Sequence, residues 1–235
     1  MHKTRSQLSR KQEELNRKQE EELRQVKELN EKQKVEIEKW KPKLPQDIAF
    51  TTTSVDPADF VSAAQGNGQI KITKQQNKYN NISFGPALEN GIYAIEASFK
   101  YSGNGAGIGI VRDTYSIPDN CAPWSTQDQK YAQHVALYAD AYASGYMYYK
   151  GTSKSGNTAY NNESQIIRAE FNSNTGTLIF SYNGTQQPVH ITGIKEKVRF
   201  MIHFYNANYY FIIRSFKKLA EPTTVPVDNQ YAVQW

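Results

Sequence analysis

The stretch from Arg168 to Gly184, R-A-E-F-N-S-N-T-G-T-L-I-F-S-Y-N-G, restricts the fold of this chain more than any other. Ala169 and Phe171 alternate with Arg168 and Glu170, and Leu178, Phe180 and Tyr182 alternate with Ile179 and Ser181. A period of two puts one set of side chains on a core face and the other set away from it. Asn174-Thr175-Gly176 marks the turn between the two runs. Asn183-Gly184 supplies the left-handed backbone that a tight hairpin requires. The stretch predicts antiparallel sheet, and nothing in it is chemistry.

Turn signals bracket further short runs at 70–73, 82–84, 92–101, 106–111, 134–139, 145–149, 165–171, 177–182, 188–192, 198–204 and 209–216. These eleven candidate strands, with Gly- and Asn-rich turns between them and no helical period, predict a mainly β chain built as an antiparallel β-sandwich. Residues 4–41 are different. They contain no Gly or Pro, are dominated by Glu, Lys, Gln, Arg and Leu, and are closed by Pro42 and Pro45. They predict one long helix, about 57 Å at roughly 1.5 Å per residue. A broken heptad runs along it, with Leu8, Leu15 and Leu29 at d and Gln12, Gln19, Val26, Gln33 and Trp40 at a. Glu22 and Glu36 interrupt the d row, and polar residues in such a seam select the partner or oligomer state. The frame suits a solvated single helix, a weak homodimer or a heterotypic coiled coil through residues 4–41. The expected organisation is helix 1–43, linker 44–58, sandwich 59–219 and tail 220–235.

The run Asn174 to Gly184 resembles the hairpin of SPRY (B30.2-type) domains, where a turn, Thr-Leu, an aromatic and Asn-Gly recur in that order. Gly91-Ile92-Tyr93-Ala94-Ile95-Glu96 resembles that family's early strand, and Ala106-Gly107-Ile108-Gly109-Ile110 resembles the Gly-Ile/Val-Gly strand after it. The three stand in the family's order and span roughly residues 60–219. Asn172 stands where Asp is usual, Ser173 stands where an apolar residue is usual, and 113–165 matches no family segment. The resemblance implies a SPRY-like, concanavalin-like sandwich of two bent antiparallel sheets. It also implies binding of short protein segments on loops at one edge. Helix followed by SPRY resembles the C-terminal half of tripartite-motif proteins. One cysteine cannot build their RING and B-box zinc modules, so ubiquitin-ligase activity is not implied.

Charge and composition narrow the function. The net charge of +5 is uneven, because residues 1–43 carry 13 Lys and Arg against 9 Asp and Glu, and the remainder is nearly balanced. Interleaved signs on a helix indicate a solvated face rather than the clustered cations of a nucleic-acid site. No apolar run is long enough to span a membrane and no apolar leader follows Met1, so a cytoplasmic protein that binds neither nucleic acid nor membrane is expected. Cys121 is the single cysteine and excludes an internal disulfide.

Chemistry is not expected. His2, His134, His190 and His203 are scattered, no zinc helix or nucleophile elbow is present, and the alternating Gly103, Gly105, Gly107 and Gly109 precede no helix. Glu163 and Glu170 are too far apart along an extended chain to act as a glycosidase pair. The expectation is a non-enzyme without metal or organic cofactor. A lectin is the alternative, since sugar-binding sandwiches stack saccharides on aromatics. His203-Phe204-Tyr205-Asn206 has a poor likeness to the galectin segment, lacking its Pro-Arg, and His203 is expected on the strand face opposite Phe200 and Ile202. All 16 Tyr lie after residue 78, many of them between 113 and 165, where the loop from Asp113 to Lys130 is long for a hairpin connection. The expectation is therefore an adaptor or scaffold that binds a protein or peptide through Arg112, Tyr115, Trp124, Tyr142, Tyr146 and Tyr160.

Overall fold

The computed structural model describes residues 2–40, 44–100, 105–124, 129–140, 145–225 and 229–235. The chain divides into two compact units, Met1–Lys43 and Leu44–Trp235. The first is one helix, α1 (His2–Trp40). The absence of Gly and Pro lets it run unbroken, and exposed pairs such as Glu21–Arg24 at 2.8 Å and Glu31–Lys34 at 2.7 Å sit at helical spacing, where solvent screens them. Leu15, Leu23, Val26, Leu29 and Ile37 are all at least half exposed on it, and at 3.6 residues per turn they fall within an arc of roughly 120°.

The second unit is a sandwich. Its strands are β1 (Gln46–Asp47), β2 (Thr51–Thr53), β3 (Phe60–Gly66), β4 (Gln69–Lys74), β5 (Asn80–Leu88), β6 (Ile92–Lys100), β7 (Ala106–Arg112), β8 (Val135–Asp140) and β9 (Tyr146–Tyr149). They continue with β10 (Thr152–Lys154), β11 (Ile166–Asn172), β12 (Thr177–Tyr182), β13 (Thr185–Gln186), β14 (Val189–Thr192), β15 (Val198–Phe204), β16 (Tyr210–Leu219) and β17 (Tyr231–Gln234). A short helix, α2 (Gln129–Ala132), precedes β8. Each of the eleven expected strands overlaps one of these. The larger sheet has the order β17-β14-β12-β11-β6-β16-β4-β3, with β1 beside β16 and β13 beside β12. The smaller sheet has the order β10-β9-β8-β7-β15-β5-β2.

The alternation of Arg168–Gly184 becomes the β11–β12 pair, with Ala169 opposite Phe180 and Phe171 opposite Leu178. All four are buried between the sheets, together with Ile95, Phe99, Ile108, Ile110, Phe200, Phe204 and Phe211. Asn183 (φ 46°) and Gly184 (φ 80°) take the left-handed turn expected of them. The two departures from the family pattern are accommodated locally. Asn172 Oδ1 accepts the Asn174 amide at 3.0 Å, as an Asp would, and Ser173 exchanges two hydrogen bonds with the Gly91 main chain at 2.8 and 2.9 Å.

Two boundaries differ from expectation. Segment 44–58 is part of the sandwich rather than a linker, because β1 pairs with the end of β16, β2 pairs with β5, and Phe50 packs edge-on against Phe84 at 5.5 Å. The tail also joins it, as β17 runs parallel to β14 and buries Val233. A buried ion pair, Lys74 with Asp59, ties β4 to the turn before β3. Burial depresses the Lys74 ammonium, and Asp59 is further held by the Gln76 amide at 2.8 Å and Asn80 Nδ2 at 2.9 Å, which supply the hydrogen bonds such a pair needs.

Candidate functional site

The site is built on the outward face of the smaller sheet. Strand β15 reads V-R-F-M-I-H-F, so Phe200, Ile202 and Phe204 enter the core while Arg199, Met201 and His203 point the other way. On one side of β15, β7 and β8 present only small or apolar residues, Gly107, Gly109 and Val111 from β7 and Val135, Leu137 and Ala139 from β8, while β5 on the other side sets Asn81 and Ser83 opposite His203 and Met201. Such a face must be covered. Residues 113–124 and 129–132 do this, packing Cys121 and Tyr131 against Val111, Val135, Leu137 and Met201 and burying Ala122. The long loop, expected as a free binding loop, is thus largely a lid over its own sheet. Its tethers include Lys78 to Asp119 at 3.1 Å, the Tyr79 amide to Asn120 at 3.1 Å, Asn81 Nδ2 to the Cys121 carbonyl at 3.2 Å, and Arg199 Nη2 to the Tyr115 carbonyl at 2.9 Å.

Two recesses flank the lid. The first is a cleft of about 400 Å³ beside the edge strand β2, lined by Thr53, Ser54, Asn81, Ser83, Tyr115 and Arg199, among others. Arg199 forms its charged floor. Its guanidinium donates to Ser83 Oγ at 2.8 Å and meets Asp113 at 3.3 Å, so the cleft offers fixed donors and acceptors and little net charge.

The second is an aromatic platform over His203. Tyr79 stacks on the imidazole at 5.6 Å, and Trp124 meets it edge-on at 4.6 Å. Tyr205 lies 4.7 Å from Tyr79, and Tyr148 and then Tyr146 extend the group from Trp124 at 5.3 and 5.9 Å. Tyr79, Trp124, Tyr146 and Tyr205 are half-buried and present ring surface to solvent. His203 itself is fully buried on the face expected for it. Asn81 Oδ1 accepts from Tyr131 at 2.6 Å and from His203 Nδ1 at 2.9 Å, which places the imidazole proton on Nδ1. Nε2 has no partner among the described residues, so the ring is only half satisfied. Burial, helped by the Lys74 charge, pushes its pKa down to about 3, and the ring is neutral at physiological pH.

The six residues expected to form one patch are distributed. Trp124 and Tyr146 belong to the platform. Tyr115 lines the cleft and stacks on His134 at 3.9 Å. Arg112 lies elsewhere, paired with Glu196 at 2.8 Å and set over the Trp235 ring at 5.6 Å. Tyr160 is a correction: it is buried in the core, donating to the Tyr138 carbonyl at 2.8 Å and packing on Phe99 at 5.2 Å, so no ligand can reach it. Tyr142 lies outside the described residues. Sequence reading missed Arg199, Asn81, Tyr79 and Tyr205. Only the outward register of Arg199 and His203 on one strand was a usable signal. Among the described residues, no three His, Cys, Asp or Glu side chains are placed to hold a metal ion, and no helix is long and apolar enough to cross a membrane.

No protein-family model matches the chain, and no curated protein matches it. Solved structures do. The SPRY domain of human HERC1 superposes with a TM-score of 0.50 at 15% identity, over 71% of this chain and 99% of that one. The PSpry domain of TRIM65 superposes with a TM-score of 0.50 at 11% identity, over 69% of this chain and 90% of that one. At such identities the likeness is one of fold. The sandwich of residues 44–235, with its two sheets and its β11–β12 hairpin, has the fold of SPRY domains.

Proposed function

We propose that the sandwich is a non-catalytic protein- or peptide-recognition module, displayed on a helix and acting as an adaptor or scaffold, and that it binds on the lidded face of the smaller sheet. The observation that carries this reading is the platform: four half-buried aromatic rings held from beneath by a buried, neutral His203. Rigid aromatic surface of this kind supplies most of the binding energy in protein interfaces at little entropic cost. The cleft beside β2 adds hydroxyl, amide and guanidinium groups suited to a peptide main chain. The SPRY domains that this fold resembles are interaction modules, which supports the same reading.

Tyr146 is the cleanest test, because its described ring contact is with Tyr148 alone. Tyr146→Ala is expected to weaken a partner recovered by pull-down by roughly tenfold or more, equivalent to about 1.4 kcal/mol, with the melting temperature unchanged. Trp124→Ala should cost about 30-fold and also lower stability, since Trp124 covers His203. Binding measured by calorimetry that is indifferent to both changes rules the platform out. Displacement of the partner by a monosaccharide supports a lectin instead.

The adaptor role rests on α1, whose apolar arc has nothing to cover it within the described helix. A homodimer or heterotypic coiled coil through residues 4–41 would bury that arc. Sedimentation of the full chain against a Leu15→Glu/Leu29→Glu variant checks self-association. Two monomers at high micromolar concentration exclude the homodimer and leave the heterotypic form or a solvated single helix.

A further inference from the structure

Beyond β16 the chain leaves the core and then returns as though it were a bound peptide. Glu170, only 2% exposed, accepts the Thr223 amide at 3.0 Å and the hydroxyls of Thr223 and Thr224 at 2.5 and 3.3 Å. Gln186 grips the main chain of Val225 from both sides, donating to its carbonyl at 2.8 Å and accepting its amide at 3.1 Å. Strand β17 then adds in parallel to β14, with the Tyr231 amide on the Pro188 carbonyl and the Trp235 amide on the Thr192 carbonyl, both at 2.9 Å. The Trp235 indole donates to Glu196, and Arg112, paired with that same Glu196, lies over the ring. Of residues 231–235 only Val233 is buried. Nearly every grip is on main chain or on a side-chain tip.

We propose that β14, with Glu170, Gln186 and the Arg112–Glu196 pair, is a strand-addition seat for an extended peptide of another protein, and that residues 223–225 and 231–235 occupy it in cis as a built-in competitor. Without β17 the outer edge of β14 would be an unpaired row of amides and carbonyls, which is the template that strand addition uses. The cis segment defines the chemistry of the partner. It carries hydroxyl residues facing Glu170, an unobstructed main chain at Gln186, a branched apolar residue in the Val233 slot and an indole two residues later. A second copy of this chain is the poorer occupant. It offers the same segment with the same contacts at micromolar concentration, against an effective concentration in the millimolar range for the tethered one. A foreign peptide with a better fit can displace the tail. This seat lies on the larger sheet, away from the platform, so its failure leaves the recognition reading above untouched.

The test uses the full chain and a fluorescent peptide of residues 221–235. Val233→Asp in the protein should unseat the tail, and the folded variant should then bind the peptide with a Kd of about 10 μM. Wild type should bind it on the order of 100-fold more weakly, because its seat is filled. A peptide carrying the same Val233→Asp change should bind neither protein. Failure of a folded variant to bind, or equal binding by wild type, overturns the proposal. Should the variant not fold, hydrogen exchange on wild type decides instead. The Tyr231 and Trp235 amides must exchange by local opening, much faster than those of β6, and exchange only through global unfolding makes the tail a fixed part of the sandwich. A wild-type dimer that Val233→Asp abolishes would place the segment in a second copy and also overturn the cis arrangement.

Discussion

The outward faces of the two sheets solve the same problem in opposite ways. The larger sheet faces out with a polar network: Arg168 joins Glu96 at 3.0 Å to Glu170 at 3.1 Å, Ser215 donates to Glu96 at 2.9 Å, and Arg214 donates to Ser98 and Gln69 at 3.1 and 2.9 Å. These groups largely pair with one another, and Thr223 and Thr224 cover Glu170. The smaller sheet faces out with a largely apolar stretch of glycine, alanine, valine, leucine and methionine, with Asn81, Ser83, Arg199 and His203 along β5 and β15, so it needs a second layer, which the chain provides from residues 113–124 and 129–132. The difference locates the recesses. A layer made of loop over a flat strand floor leaves recesses at its margins, and both the cleft and the platform are such margins.

The close fit of that lidded layer sets the largest expected effect. At Gly109 an added Cβ would lie 1.9 Å from the Ala136 carbonyl oxygen and 2.8 Å from Leu137 Cα, both backbone atoms of the next strand. Neither can rotate away. Gly109→Ala should therefore cost upwards of ~3 kcal/mol, or prevent folding. A melting temperature within two or three degrees of wild type would show that β7 and β8 are loosely joined.

Next in size is the polar joint under the lid. Asn81 Oδ1 is the acceptor shared by Tyr131 and His203, and Nδ2 holds the Cys121 carbonyl. Asn81→Leu keeps the volume but strands the His203 Nδ1 proton in a fully buried ring and releases the lid. A loss of about 3 kcal/mol is expected in urea unfolding. A neutral result would mean that the lid is held by its apolar contacts alone.

How much of this was legible follows from where each signal resides. Alternation identified the central strands because their two faces differ in polarity, as in Ala169–Phe171 and Leu178–Tyr182. It missed β2 and β3, whose residues Thr51–Thr53 and Val61–Gly66 are all exposed edges with no contrast between faces. The register of β15 put His203 on the outward face, but that this face would be lidded, and the imidazole left half satisfied, depends on Ile117, Cys121, Ala122 and Tyr131, which carry no period. Tyr160 sits among Asn, Thr and Ala in a segment that reads as loop, and its descent into the core has no local sign. The candidate site was read from a surplus of aromatics. Its partition into cleft, platform and tail clamp is tertiary.

Acid should separate the two faces by about 2 kcal/mol. The folded His203 has a pKa of about 3 against 6.5 in the unfolded chain. Between those values the unfolded state binds a proton that the folded state refuses, so stability present above pH 6.5 is lost as the pH falls toward 3. The loss between pH 7 and pH 5 is about 2 kcal/mol. In His203→Gln the urea midpoint should move correspondingly less over that interval. An identical pH dependence in the variant would assign the acid sensitivity to groups outside the lid.

The smallest effect is expected on the polar face. Glu96 pairs with Arg168 at 3.0 Å while 31% of its side chain remains exposed, so solvent and salt screen the pair. Water also stands ready to replace whatever partner is removed. Glu96→Gln keeps the shape and leaves Ser215 a carbonyl to donate to. The change should cost roughly 0.5 kcal/mol, and less still in 0.5 M salt. Chemical denaturation of this variant beside Asn81→Leu puts the contrast to a direct measurement, because each change removes one polar joint from one outer face. If the polar face depends on its network as heavily as the lidded face depends on Asn81, Glu96→Gln will cost several kcal/mol and will not respond to salt. The two faces would then differ in composition without differing in how they are held.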